Sequence, residues 1–258
     1  MKFYKTPTQK YRLYLIKKIL KNKRKGQFLD IGCGLGFVTA SLLKMGFLGQ
    51  GIDPSLKSIR LARKLHPQIK NHFILKSLSQ LSPHKQYDLI VMAEVLEHLK
   101  NDQEVLRKVN AILKKGGILI LTVPAHKKAW NANDEFAGHR RRYEKKGLQD
   151  KLKRSGFKVE KIHSFGFPFF NLTTRIALKI KSESTPLGHH SPRQEPNLQN
   201  RSENSAHTRF REKAIQKSNF LFNPVFIRPL FVFQNLFFKT DLGQNYIVLA
   251  KKNNSRDH

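Results

Sequence analysis

Apolar residues recur at helical spacing near the start of the chain, at Tyr11, Tyr14, Leu15, Ile16, Ile19 and Leu20, with lysines on the opposite side. The pattern predicts a basic amphipathic helix within residues 1–26. Residues 27–31 then read as a short buried strand that meets Gly32, Gly34 and Gly36, and residues 37–45 return to helical spacing. Strand, glycine turn and helix follow one another. The unit repeats with a strand over 48–52 ending at Asp53, Ser55 as a helix cap, and a helix over 56–65 stopped by Pro67. Further strands are predicted at 71–75, 87–92, 118–123 and 157–163, with helices at 102–113, ended by Gly116 and Gly117, and at 145–155. A seventh strand spans 246–250. Strands alternating with helices predict an α/β fold with a mostly parallel sheet covered by helices on both faces.

The alternation is interrupted before the seventh strand. Residues 165–180 are apolar and aromatic, 181–219 are rich in Ser, Asn, Gln, His, Pro and Arg without periodicity, and 220–238 are almost wholly apolar with Arg228 as the single charge. The middle stretch reads as a flexible polar linker. The last is close to the roughly 20 residues that cross a bilayer as a helix. Pro224, Pro229 and Arg228 argue against a simple span, leaving an interfacial membrane contact or a cap packed on the core. The expected organisation is a lead-in helix at 1–26, a core at 27–165, an insertion at 166–242, and the last strand with a polar tail at 243–258.

Composition adds a partner class and a compartment. With 49 Lys and Arg against 18 Asp and Glu, the formal charge is +31, so anionic partners are favoured. Nucleic acid and an anionic membrane face share that sign, and charge does not choose between them. The single cysteine, Cys33, excludes an internal disulfide and a Cys-rich zinc site, and no metal centre is expected. The lysine-rich start lacks the apolar run of a signal peptide, so the expected location is cytoplasmic, with a peripheral place at the inner membrane left open.

The sharpest chemical signal is the stretch from Phe28 to Gly36, in which Asp30 precedes Gly32, Gly34 and Gly36. Such glycines let bare backbone approach a ligand at a helix N-terminus, while Asp30 could accept hydrogen bonds from a cationic amino group. A dinucleotide site would need its third glycine at position 37, where Phe37 stands. Asp53, about 20 residues further on at the next strand end, suits both hydroxyls of a ribose. The combination resembles the class I S-adenosylmethionine-dependent methyltransferases, with Asp30-x-Gly32-x-Gly34-x-Gly36 similar to their first motif. That resemblance implies a Rossmann-like seven-stranded sheet and S-adenosylmethionine as cofactor. It implies cofactor contacts from Asp30, Gly32, Cys33, Gly34, Gly36, Asp53 and Pro54. Residues 87–98, ending Ala93-Glu94-Val95-Leu96-Glu97-His98, are similar to the family's fourth-strand motif. By that likeness Ala93, Glu94 and Val95 border the cofactor, and Glu97 and His98 lie toward the acceptor. Many members carry an acid near adenine after the third strand; here Ser77 and Leu78 stand there, with Ser77 as the replacement acceptor.

Methyl transfer from a sulfonium depends mainly on positioning and water exclusion. An oxygen acceptor also benefits from a general base, for which His98 and His139 are the candidates. Trp130 to Tyr143 reads as a loop ending in Gly138-His139-Arg140-Arg141-Arg142-Tyr143, similar to a stretch found in a bacterial subset of these enzymes. From it, Trp130, Arg140, Arg141 and Tyr143 are the candidate acceptor contacts, set against a basic turn whose arginines pair Glu144, Asp134 or Glu135. The expected acceptor is a small molecule or lipid-linked compound. The alternatives are a nucleic-acid methyltransferase, suggested by charge alone, and a non-catalytic cofactor-binding scaffold; oligomeric state is not legible.

Overall fold

The computed structural model describes residues 6–168 and 224–253, with the side chains of 224–228 excepted. The chain opens on α1 (Pro7–Leu20), whose start is fixed by a reciprocal cap between Thr6 and Gln9 with Pro7 in the first turn. Then follow β1 (Gln27–Ile31), α2 (Phe37–Lys44), β2 (Leu48–Asp53), α3 (Leu56–Leu65), β3 (Phe73–Leu75) and β4 (Tyr87–Ala93). The second half holds α4 (Asp102–Ala111), β5 (Leu113–Pro124), α5 (Ala132–Ala137), α6 (Lys145–Arg154), β6 (Phe157–Phe165), α7 (Pro224–Asn235) and β7 (Asn245–Lys252). The seven strands form one sheet in the order β3-β2-β1-β4-β5-β7-β6. β7 runs antiparallel to both neighbours, and the neighbouring pairs from β3 to β5 are parallel. This is the Rossmann-like, mostly parallel sheet expected.

Alternation along the strands splits the core into two layers. Phe28, Leu89, Val91, Ile120, Ile247 and Leu249 pack on α1, α2 and α7, while Leu29, Ile90, Met92, Leu119, Leu121 and Val248 pack on α4 and α6. Each fully buried large apolar side chain contributes about 1.5–3 kcal/mol, so both faces of the sheet are driven shut. α1 belongs to that core, with Tyr11, Leu13, Leu15, Ile16 and Leu20 buried. α7 lies against it. The Phe231 ring sits 4.7 Å from that of Tyr11 and 5.6 Å from that of Tyr14, and Asn235 bonds both tyrosine hydroxyls.

Several boundaries differ from expectation for local reasons. β5 begins at Leu113, which pairs with Tyr87, and residues 114–117, with Gly116 left-handed, form an irregularity before the pairing with β4 resumes at Ile118 opposite Leu89. The third strand is shorter than predicted, since Pro67–His72 forms a 3-10 turn first. The stretch from Trp130 to Tyr143 is not simply a loop, for an Asn131/Asp134 cap starts α5 within it. No helix among the described residues is long and apolar enough to cross a membrane, and the apolar stretch at 220–238 contains the 12-residue α7, with Pro229 inside it. The predicted linker at 181–219 lies outside the described residues.

Candidate functional site

Parallel strands place their carboxyl ends along one rim of the sheet, and the residues singled out from the sequence gather there. The turn after β1 is held by the Gly32 and Cys33 amides, which both donate to the Ile52 carbonyl of β2 at 2.8 and 3.0 Å. Gly32, Gly34 and Gly36 all have φ between +52° and +78°. A Cβ on Gly32 would lie 2.5 Å from Val95 Cγ2, so this glycine is what allows the end of β4 to close over the turn. A Cβ on Gly34 would meet nothing within 4 Å. The bare side of Gly34 therefore faces open space.

One carboxylate is bonded into that turn and a second lies close to the first. Asp53, 3% exposed, accepts from the Gly34 amide through Oδ2 and from the Ser55 amide through Oδ1, both at 2.9 Å. It tethers the glycine turn to β2 as well as lying at the strand tip. Burial raises its pKa against the pull of those two amides. Asp30 is fully buried and accepts from the Thr39 hydroxyl at 2.7 Å; burial pushes its carboxyl up to about 7 despite that bond, with Asp53 adding to the rise. The Cys33 side chain turns away into a small core with Ile59, Ala62 and Phe73, so this residue offers the site only its backbone. Beyond Asp53 an open cleft of about 550 Å³ is lined by Pro54, Leu56, Leu75, Lys76, Ser77, Ser79 and Gln80. Ser77 is at its wall, its hydroxyl bonded to Ser79 and Gln80, whereas Leu78 packs toward the core.

The pKa of Asp30 makes a testable prediction. The unfolded chain releases this proton near the ordinary value of 3.8 and the folded chain holds it to about 7. Ionisation of Asp30 thus costs ligand-free stability increasingly between those two values, and a cation bound beside it favours the ionised form. Affinity for S-adenosylmethionine, titrated calorimetrically, should tighten as pH rises toward 7 and level off above it, and Asp30→Asn should flatten the slope. A slope that survives in Asp30→Asn would place its origin elsewhere.

On the far side of Val95 lies a second group. Ala93 ends β4, and Glu94, at φ +59°, accepts from the Thr122 hydroxyl at 2.9 Å and pairs with Arg12 of α1 at 3.3 Å. A 3-10 turn, Leu96–His98, then presents Glu97 and His98. Glu97 is fully buried, and neither carboxylate oxygen has a hydrogen-bond partner among the described residues. Burial, reinforced by Glu94, holds its pKa well above the ordinary carboxylate range. His139 brings Nε2 to 3.8 Å from Glu97 Oε1, while its Nδ1 meets Asp134 Oδ1 at 2.7 Å. His98 Nδ1 lies 3.3 Å from the Gly138 carbonyl, and the two imidazoles stand edge to face with centroids 4.9 Å apart.

The basic loop does less at the surface than its sequence suggests. Arg142 binds Asp134 through Nε and a terminal nitrogen at 2.9 Å and the Ala125 carbonyl at 3.0 Å. Arg141 pairs with Asp102 at 2.9 Å, and Tyr143, 5% exposed, donates its hydroxyl to the same carboxylate. Tyr143 is thereby buried, and Arg141, still partly exposed, has Asp102 as its partner; Arg140 is exposed, anchored by its amide to the Glu97 carbonyl. Trp130 is 38% exposed after the 3-10 turn Lys127–Ala129. Sequence reasoning passed over Arg12 and Thr122, and counted Asp134 only as a surface partner. Asp134 had a signal, the Asn-x-x-Asp cap; Arg12 had none, because it lies 82 positions from Glu94.

Residues 7–162 match the family model described as a methyltransferase domain. Among curated proteins, the ubiquinone biosynthesis O-methyltransferase of Rickettsia bellii (strain OSU 85-389) is 36% identical over 107 residues, covering 40% of this chain and 45% of that protein. The protein of the same description from Bradyrhizobium sp. (strain ORS 278) is 31% identical over 100 residues, or 37% of this chain and 39% of its own. The chain thus spans less than half the length of these relatives. Among solved structures, an S-adenosylmethionine-dependent methyltransferase from Mesorhizobium loti superposes with a TM-score of 0.56 at 16% identity, covering 92% of this chain and 96% of that one. The N-methyltransferase NodS of Bradyrhizobium japonicum, solved with S-adenosyl-L-homocysteine, gives 0.51 at 21% identity over 62% and 81%. At these identities the superpositions speak for the fold.

Proposed function

Because the chain belongs to the methyltransferase-domain family, as an S-adenosylmethionine-dependent enzyme, we propose that it methylates an oxygen of a small-molecule acceptor held between Arg140 and the Glu97–His98–His139 group. The observation that carries this is the junction at Val95, which packs on Gly32 on one side and leads directly into Glu97 and His98 on the other. The expected cofactor fits the residues present: the open face of Gly34, the Asp53 and Asp30 carboxylates, and the cleft past Pro54 and Ser77 suit a backbone-hugging nucleoside with a cationic amino acid end. When bound, S-adenosylmethionine supplies an electrophilic methyl on a good leaving group.

The chain's own residues then have three tasks. Asp53 holds the turn and offers its remaining lone pairs to the ribose; Asp30 supplies negative charge near the amino group; Val95 and Leu96 keep water from the reacting side. The imidazole side of the cluster would take the proton that the acceptor hydroxyl gives up as its oxygen is methylated. His139 suits proton acceptance, since Asp134 fixes Nδ1 as the protonated nitrogen and leaves Nε2 basic. The ubiquinone relatives favour oxygen over nitrogen or carbon. An apolar acceptor drawn from the membrane surface is supported by the end of α7 and the turn after it, where Val232, Phe233 and Leu236 are 60%, 46% and 73% exposed, with Lys18 over the nearby Phe238 ring.

The test is incubation of the full chain with methyl-labelled cofactor and cell extract, then separation into lipid, small-molecule, protein and nucleic-acid fractions. Label is expected on an oxygen in the small-molecule or lipid fraction. Label confined to nucleic acid or protein would overturn the acceptor class.

A further inference from the structure

We propose that the end of the sheet opposite the candidate active site docks a nucleic-acid duplex by its phosphates, as a partner and not as the methyl acceptor. Charge in this protein is sorted along the strand direction. The acids Asp30, Asp53, Glu94, Glu97 and Asp134 lie at the carboxyl ends of the parallel strands or in the segments just beyond them. The stretches at the amino ends are the reverse. Residues 21–27, 44–47, 66–72, 81–86, 107–117 and 153–159, which lead into or open β1 to β6, contain fourteen Lys or Arg and no Asp or Glu. β7 runs the other way and brings Lys251 and Lys252 to the same end, with Lys252 opposite Phe157. A lysine-rich composition by itself would scatter both signs over the surface.

Helix ends account for only part of this. The basic residues in the last turns of α2, α4 and α6 offset the negative end of each helix. Arg24, Lys25, Lys85, Lys115 and Lys158 lie outside the helices, and all five are exposed. They stand at the amino ends of β1, β4, β5 and β6, and with Lys252 of β7 they form a row across five adjacent strands. At the usual spacing between strands that row is about 19 Å long. Duplex DNA carries one charge per about 1.7 Å of its axis, so a row of this length meets several phosphates at once. The acids nearest to it, Asp88 and Glu160, are already paired with Lys114 and Lys251 and leave the row uncompensated.

What the row lacks selects the partner. Among the described residues at this end, Leu48 is the one large apolar side chain that is exposed, and no exposed Phe, Tyr or Trp stands with it. Single-stranded bases would have no ring to stack on, and a bilayer no set of apolar anchors to take up. Cations fixed on the ends of strands suit a rigid ladder of phosphates, which positions a duplex without reading its sequence. β1 alone, five residues long, separates this end from the glycine turn by about 16 Å, so docking is independent of methyl transfer.

The test is fluorescence anisotropy of a labelled DNA duplex of about 16 base pairs, titrated with the full chain between about 50 and 200 mM salt. Affinity is expected to fall with salt on a log–log slope of about −4 or steeper. Arg24→Glu combined with Lys115→Glu should weaken binding at least about tenfold and make the slope shallower by about 2, since each lost phosphate contact removes about 0.9. Lys85→Glu combined with Lys158→Glu should do the same, which guards against misfolding of the first pair. Lys127→Glu combined with Lys128→Glu makes the same charge change at the opposite rim, where both residues are exposed, and should leave affinity within about twofold. All three double variants should keep S-adenosylmethionine binding. No duplex binding at about 100 mM salt, equal weakening by the rim pair, or tighter binding of oligo(dT) than of the duplex would each overturn the site. So would loss of flotation with phosphatidylglycerol vesicles in the Arg24, Lys115 variant while duplex binding persists, and methyl label found on the duplex would overturn its role as a partner.

Discussion

Gly34→Val is expected to raise the Kd for S-adenosylmethionine at least about 100-fold, equivalent to about 2.7 kcal/mol, in a chain that still folds. The separation of the two effects comes from what surrounds the residue. A Cβ at Gly34 meets no protein atom within 4 Å, so the new side chain stands in the space assigned to the cofactor and displaces nothing else. Its φ of +52° penalises any non-glycine residue by roughly 1–2 kcal/mol, a tolerable fraction of the stability of an ordinary domain. Gly32→Ala is the contrasting variant. There the added atom would lie 2.5 Å from Val95, so folding should suffer together with binding. Calorimetric titration beside thermal melting distinguishes the two, and unchanged affinity in Gly34→Val would remove the cofactor from this turn.

The largest loss of stability is expected from Asp134→Ala, about 3–5 kcal/mol by urea unfolding. Asp134 is 1% exposed and binds Arg142, His139 and the Asn131 amide at once. Burial favours the protonated acid, but the hydrogen bonds from His139 and Arg142 outweigh it, and the pKa lies below its ordinary value. Removing the carboxylate strands a guanidinium only 10% exposed. Adding Arg142→Met should recover much of the loss, because the cost is chiefly the unpaired charge. A loss under about 1 kcal/mol would show that the network carries no more weight than a surface ion pair.

What was legible in the sequence was local. β4 declares itself by its apolar run, β1 and β2 by short stretches that end at the glycine turn and at Asp53, α3 by the Ser55 cap, and the glycine turn by its spacing, and each is set within a few residues of chain. The start of β5 was hidden because Lys114, Lys115 and two glycines carry no strand pattern; only the pairing of Leu113 with Tyr87 on β4 marks it. The partners of the basic loop were hidden for the complementary reason. Arg141, Arg142 and Tyr143 look like a surface grip until Asp102 and Asp134 are brought to them, and nothing near residue 140 announces Asp102 some 40 positions earlier. Arg12 is the extreme case, a residue in the first helix that fixes a carboxylate in the fourth-strand motif.

β6 hydrogen-bonds within the sheet only to β7, and β7 also covers the edge of β5. On a ribosome, β6 emerges roughly eighty residues before its partner, so in the interval it has no place in the sheet and the flank of β5 is bare. Such unpaired edges invite contact with other chains. Synthesis of this protein therefore passes through a stage in which β5, an interior strand of the finished sheet, is unguarded along one edge, and chaperones that shield growing chains would be needed most over that stretch.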